Sequence, residues 1–158
     1  MDCLNPKAKY ELLANNVPRV DFATGGLLQN LPIVCGGEDS QENVSQNCVV
    51  IGKREIELEM IEKRSYAASV ALDQNTLWIV GGKDELDGDL RSTEFIKLGQ
   101  PSVKGRDLPF TIINHSMIHY DEKSIYIIGG DQNVGSHNGS FPFKKTWIVD
   151  PTNEFQIK

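Results

Sequence analysis

A double glycine closing a short apolar run occurs three times in this 158-residue chain, and its spacing constrains the fold more than any other feature. The copies are Ile33-Val-Cys-Gly-Gly37, Ile79-Val-Gly-Gly82 and Ile127-Ile-Gly-Gly130, so the second glycines stand 45 and then 48 residues apart. Three residues ahead of the pairs Gly36-Gly37, Gly81-Gly82 and Gly129-Gly130 stand Ile33, Trp78 and Tyr126. Immediately ahead stand Cys35, Val80 and Ile128. A second strand-like run follows each pair: Asn47–Ile51, Ser92–Ile96 and Lys145–Val149. Small residues precede each pair, at Ala23-Thr24, Ala67-Ala68-Ser69 and Ser116. A recurrence of this kind marks stacked units, each unable to bury its apolar face alone.

The residue types give the local structure. Trp78-Ile79-Val80 and Tyr126-Ile127-Ile128 are short, continuous apolar runs ended by glycine, which suits strands buried on both faces. Asp73–Asn75 and Asp121–Lys123 supply polar turns ahead of them. Gly25-Gly26 is out of phase and belongs to a first strand. The one helical window is Lys7–Asn15, bounded by Pro6 and Pro18. Each unit therefore reads as four short antiparallel strands, and such a unit repeating at roughly 40–50 residues is a propeller blade. The predicted fold is all-β: a leader over 1–20, then blades over about 21–63, 64–108 and 109–158. Propellers close with roughly four to eight blades. Three blades predict two open apolar faces, completed by further sequence or by a second copy.

The pattern resembles the kelch repeat. The second unit carries it best, through Lys63-Arg-Ser-Tyr-Ala-Ala-Ser-Val-Ala-Leu72, Leu77-Trp-Ile-Val-Gly-Gly82 and Ser92-Thr-Glu-Phe95. The third carries it through Ile125-Tyr-Ile-Ile-Gly-Gly130 and Trp147-Ile-Val-Asp-Pro151. The late tryptophan usual in that family is absent, with Phe155 in its place in the third unit. The resemblance implies radial packing with the small-residue strand nearest the axis, where Ala67, Ala68 and Ser69 fit. It also implies positive φ at the double glycines, where the backbone turns closely. The first unit, with Ala23-Thr-Gly-Gly-Leu-Leu28, Pro32-Ile-Val-Cys-Gly-Gly37 and Cys48, is similar to an extracellular subset that carries two cysteines on neighbouring strands of one blade.

Alignment of the units puts Cys35 opposite Val80 and Ile128, and Cys48 opposite Thr93 and Thr146. The two would lie on adjacent antiparallel strands, close enough for a disulfide. A pair of buried thiols fits the same places. Cys3 is left over. Three glycosylation sequons begin at Asn43, Asn114 and Asn138. Asn114 falls in an inner strand, whereas Asn43 and Asn138 fall in loops and are the candidate acceptors. These features lean the compartment towards the extracellular side with an incomplete N-terminus. The absence of an apolar N-terminal core leans towards the cytoplasm.

Formal charge is −6, from 16 basic and 22 acidic residues with no strongly basic stretch, which argues against a nucleic-acid partner. No apolar run is long enough for a membrane span. His115 and His119 would be ~13 Å apart along a strand, too far to share a metal. His137 lies in a Gly/Asn loop. Asp84, Glu85, Asp87 and Asp89 lack EF-hand spacing and read as a solvated acidic loop. No nucleophile elbow, phosphate loop or zinc motif occurs, nor the Tyr–Cys and His set of a copper radical oxidase. The expectation is a protein without catalytic residues, metal or cofactor.

The remaining candidates are the loops after the double glycines: Glu38–Gln46, Lys83–Arg91 and Asp131–Lys144. The resemblance implies that such loops gather on one face and bind a protein or peptide. Glu38, Asp39, Glu42, Asp84, Glu85, Asp87 and Asp89 would favour a basic partner. Phe141 and Phe143 in the third loop offer either an apolar anchor or packing on their own blade. The function expected is a non-catalytic protein-interaction module. The alternatives are a fragment of a propeller enzyme (galactose-oxidase-like or a sugar isomerase) and a structural extracellular protein that assembles through its open faces.

Overall fold

The computed structural model describes residues 19–51, 56–86, 88–121, 124–133, 140–142 and 146–149. The Lys7–Asn15 window, Cys3, Asp87, His137, Asn138, Phe143 and Phe155 lie outside them. Among the described residues the fold is all-β, with fourteen strands, no helix and no closed sheet.

Three four-stranded antiparallel sheets follow one another along the chain. The first orders β1 (Thr24–Leu28), β2 (Leu31–Cys35), β3 (Asn47–Val50) and β4 (Ile56–Glu59) as a simple meander. Its β1–β2 turn is the two-residue Gln29-Asn30, with φ of 52° and 63°, the double positive that a tight hairpin of matching twist requires. The second contains β5 (Ala68–Ala71), β6 (Thr76–Val80), β9 (Thr93–Lys97) and β10 (Val103–Lys104) in that spatial order. Between β6 and β9 the chain makes a small hairpin, β7 (Lys83–Asp84) with β8 (Gly88–Asp89). The third pairs β11 (Ile113–Asp121) with β12 (Ser124–Asn133), and β12 with both β13 (Ser140–Pro142) and β14 (Thr146–Val149).

The third sheet differs from the loop reading of residues 131–144. Its β12 does not stop at the double glycine but runs on to Asn133, where Asp131, Gln132 and Asn133 pair with Pro142, Phe141 and Ser140. Part of the longest loop is thus a hairpin. The reason is its length, which allows the chain to return along itself.

The first strands β1, β5 and β11 are neighbours across the three sheets. Small side chains allow this approach. Thr24 Oγ1 donates to Ser69 Oγ (2.8 Å), which donates to the Gly25 carbonyl (2.8 Å). Leu77 packs against the bare α-carbon of Gly26.

Two cores lie between the sheets. Leu28, Ile33, Cys35, Cys48 and Val50 of the first sheet meet Leu77, Ile79 and Ile96 of the second. Trp78 and Val80 of the second meet Ile125, Ile127 and Val149 of the third, with Leu108 and Ile112. The middle strand β6 therefore buries alternate side chains from Leu77 to Val80 in opposite directions, and all five of its residues are buried. That is why its sequence is continuously apolar rather than alternating. Each fully buried large side chain contributes roughly 1.5–3 kcal/mol.

Cys35 and Cys48 are register partners on β2 and β3, with Cα atoms 4.0 Å apart, and their sulfurs are bonded. The disulfide sits inside the first core.

Candidate partner-binding surface

Antiparallel pairing brings the start of each first strand beside the double glycine that follows the second. All six glycines have positive φ, from 60° to 99°. Asp21 and Glu38 exchange backbone hydrogen bonds (2.9 and 2.8 Å), and Ser65 and Lys83 do the same (2.9 and 2.8 Å). One end of the sheets is built this way, and the Glu38–Gln46 and Lys83–Arg91 segments leave from it.

Three non-glycine residues repeat there with positive φ: Phe22 (57°), Tyr66 (55°) and Asn114 (55°). The Tyr66 amide donates to the Phe22 carbonyl (3.0 Å) and the Asn114 amide to the Tyr66 carbonyl (3.0 Å). This conformation is strained for side-chain-bearing residues, and these inter-sheet bonds hold it. Phe22 and Tyr66 stack with centroids 4.0 Å apart and planes at 19°, and Phe22 is exposed. Burial first, then the charges of Glu38, Glu42 and Asp21, hold the Tyr66 phenol above its ordinary range. An exposed phenyl and a half-buried phenol thus stack beside Asp21 and Glu38.

Four loop carboxylates, Glu38, Asp39, Asp84 and Glu85, are held by hydrogen bonds. The Glu38 carboxylate accepts from Ser65 Oγ at 2.7 Å, across the seam between the sheets. Glu85 Oε1 accepts from the Val44 amide at 2.5 Å, joining the second loop to the first. Asp39 folds its own loop by accepting from the Gln41 amide (2.8 Å), the Asn43 amide (3.0 Å) and the Asn43 side chain (2.9 Å). Those bonds, chiefly from Asn43, hold its carboxyl below the usual range. Asp84 accepts from the Leu86 amide at 2.7 Å. Glu42 is exposed, with φ 65°. Asp89 lies in β8 and is half-buried. Asn43 is exposed, with its amide group directed to Asp39.

The other expected residues are spread through the fold. Trp78 is buried, 6.2 Å from Phe95 in a stacked arrangement. Tyr126 meets Tyr120 edge-on at 5.1 Å. Phe141 lies on β13 opposite Gln132, and Trp147 on β14 opposite Ile127. His115 is buried on β11 whereas His119 is exposed. Among the described residues no group of three or more His, Cys, Asp or Glu is placed to hold a metal ion. No described helix is long and apolar enough to cross a membrane.

Asp21 and the Phe22–Tyr66 stack escape the sequence reading because the repeat slips there. Phe22 stands 14 residues ahead of Gly36, whereas Tyr66 and Asn114 stand 15 ahead of Gly81 and Gly129. The missing residue is absorbed by the tight Gln29-Asn30 turn. No protein-family model matches the chain, and no curated protein matches it.

Proposed function

We propose that the chain is a segment of a kelch-type β-propeller that acts as a non-catalytic binding module for a basic protein or peptide. The binding surface is the end of the sheets that carries the first two post-glycine loops. One observation carries this reading: the Phe22–Tyr66 stack, with Phe22 exposed, stands beside Asp21 and, through Ser65, the Glu38 carboxylate. A lysine or arginine side chain would find an aromatic face and opposite charge together there. The Ser65–Glu38 and Val44–Glu85 bonds support it, because a pre-ordered rim loses less entropy on binding. The Cys35–Cys48 disulfide supports placing the module in an oxidising compartment.

The test uses two fluorescein-labelled peptides, one rich in Lys and Arg and one rich in Glu, followed by anisotropy over a salt series. The basic peptide should bind, weaken as salt rises, and weaken further with Glu42→Gln combined with Phe22→Ala. Equal affinity for both peptides, or affinity indifferent to salt and to these substitutions, would overturn the proposal.

A further inference from the structure

The seam between neighbouring sheets is built twice from the same parts. At the first seam the Gly37 amide donates to the Arg64 carbonyl (3.0 Å), and that carbonyl lies where a Cβ on Gly36 would be. At the second seam the Gly82 amide donates to the Ile112 carbonyl (2.9 Å), which lies over Gly81 in the same way. Cys35 and Val80, immediately ahead of these pairs, are 1% and 0% exposed.

The third sheet repeats the glycine half of this seam, the one whose amide donates. Gly129 and Gly130 have φ of 68° and 94°, matching the earlier pairs, but nothing lies within 4 Å of the Cβ position on Gly129. Ile128, in the place of Cys35 and Val80, is 39% exposed, and Ile118, on the same face, is 52% exposed. The first sheet carries the carbonyl half, the one that accepts. Val20-Asp21-Phe22 enters β1 as Arg64-Ser65-Tyr66 enters β5, and the face turned from the first core carries Val34, Val49 and Leu27 (56% exposed).

We infer that a second copy of this chain docks its first sheet on the third sheet, head to tail, with the Val20 carbonyl over Gly129. The occupant is argued from continuity: the exposed face continues an interface the chain makes twice, and its own first sheet carries the matching half. A heterologous contact closes only if its rotation allows. Two copies of the described residues bring six four-stranded sheets, within the roughly four to eight of a closed propeller, so the inferred assembly is a closed dimer with two identical seams. This rests on the propeller reading above.

Sedimentation velocity of the chain, of Leu27→Lys, of Ile118→Lys and of an equimolar mixture of the two variants tests the inference. The parent chain should be a dimer. Each variant should be monomeric, with association weakened at least about thirtyfold. The mixture should regain a dimer through its one unblocked seam. Circular dichroism matching the parent shows that the variants fold, and Gly129→Ala should weaken association without a new charge. A parent monomeric at all concentrations would overturn the inference. So would a size that grows without limit, or loss of the dimer in only one variant without rescue by mixing. A monomer that still binds the basic peptide sinks the dimer alone. A dimer indifferent to that peptide sinks the binding-module reading alone.

Discussion

Arg64 and Glu94 meet at 2.5 Å between the first and second sheets, with side chains 0% and 1% exposed. Arg64 also donates to the carbonyls of Gly81 (2.7 Å) and Ser92 (3.2 Å), while Glu94 accepts the amides of Ile61 (2.6 Å) and Glu62 (3.1 Å). Ser92 Oγ donates to Glu62 beside them. The pair thus ties the exit of β4 to β6 and β9. Removing Arg64 strands the buried Glu94 charge, and removing Glu94 leaves Arg64 only the more exposed Glu62 carboxylate at 3.3 Å, so each loss costs up to about 3–5 kcal/mol. Glu94→Leu and Arg64→Met should each lower the urea midpoint accordingly. The double variant should be less damaged than the sum, with a coupling of about 1–3 kcal/mol. Strict additivity would show that the pair does not act as a unit.

The Cys35–Cys48 bond closes a sequence separation of 13 residues. A loop of that size restricts the unfolded chain by about 3 kcal/mol in the chain-entropy description. Reduction should lower the melting temperature by several degrees, and the unreduced protein should be lighter by two hydrogens. Thiol titration after unfolding that finds three reactive groups would contradict the bond.

His115 is buried with neither ring nitrogen hydrogen-bonded, and burial pushes its pKa down to about 4. Unfolded, the side chain binds a proton near its ordinary ~6.5. Above ~6.5 neither state is charged and stability does not depend on this group. As pH falls from ~6.5 towards 4 the unfolded chain gains a proton the folded chain refuses, so stability drops by up to about 3 kcal/mol. Denaturation of His115→Leu over this range should show a flatter acid limb than the parent. An unchanged slope would place the proton uptake elsewhere.

Gly36, Gly81 and Gly129 share a conformation but not surroundings, which separates two costs. Alanine at any of them incurs the left-handed penalty of about 1–2 kcal/mol. At Gly36 and Gly81 the new Cβ also strikes a carbonyl of the next sheet, whereas at Gly129 it meets open space. Gly81→Ala should therefore destabilise the folded chain clearly more than Gly129→Ala, measured by thermal melting at low protein concentration. Equal losses would mean that the seam yields easily.

The strand order of the first sheet and the Cys35–Cys48 register were legible because apolar runs, glycines and turn residues recur in phase. Trp78 and Ile79 announce a doubly buried strand through their continuity alone. The proposed binding surface was less legible. Its carboxylates could be named, but whether Glu38 faces water or Ser65, and whether Glu85 reaches Val44, depends on how two sheets meet. Arg64 reads as an ordinary basic residue in sequence, because nothing local reveals that Glu94, thirty residues on, will be buried against it. Gly129-Gly130 read as the end of a strand, yet β12 continues past them once Phe141 and its neighbours return to pair.

The backbone step from Phe22 to Tyr66 to Asn114 has a consequence for how such a surface can change. The spacing between sheets is metered there by peptide groups, each carbonyl receiving the next amide at 3.0 Å. The side chains attached to that meter are a phenyl, a phenol and a carboxamide, and the metering bonds themselves are made by main chain alone. Chemistry displayed at this rim can therefore be exchanged residue by residue while the pitch of the array stays fixed.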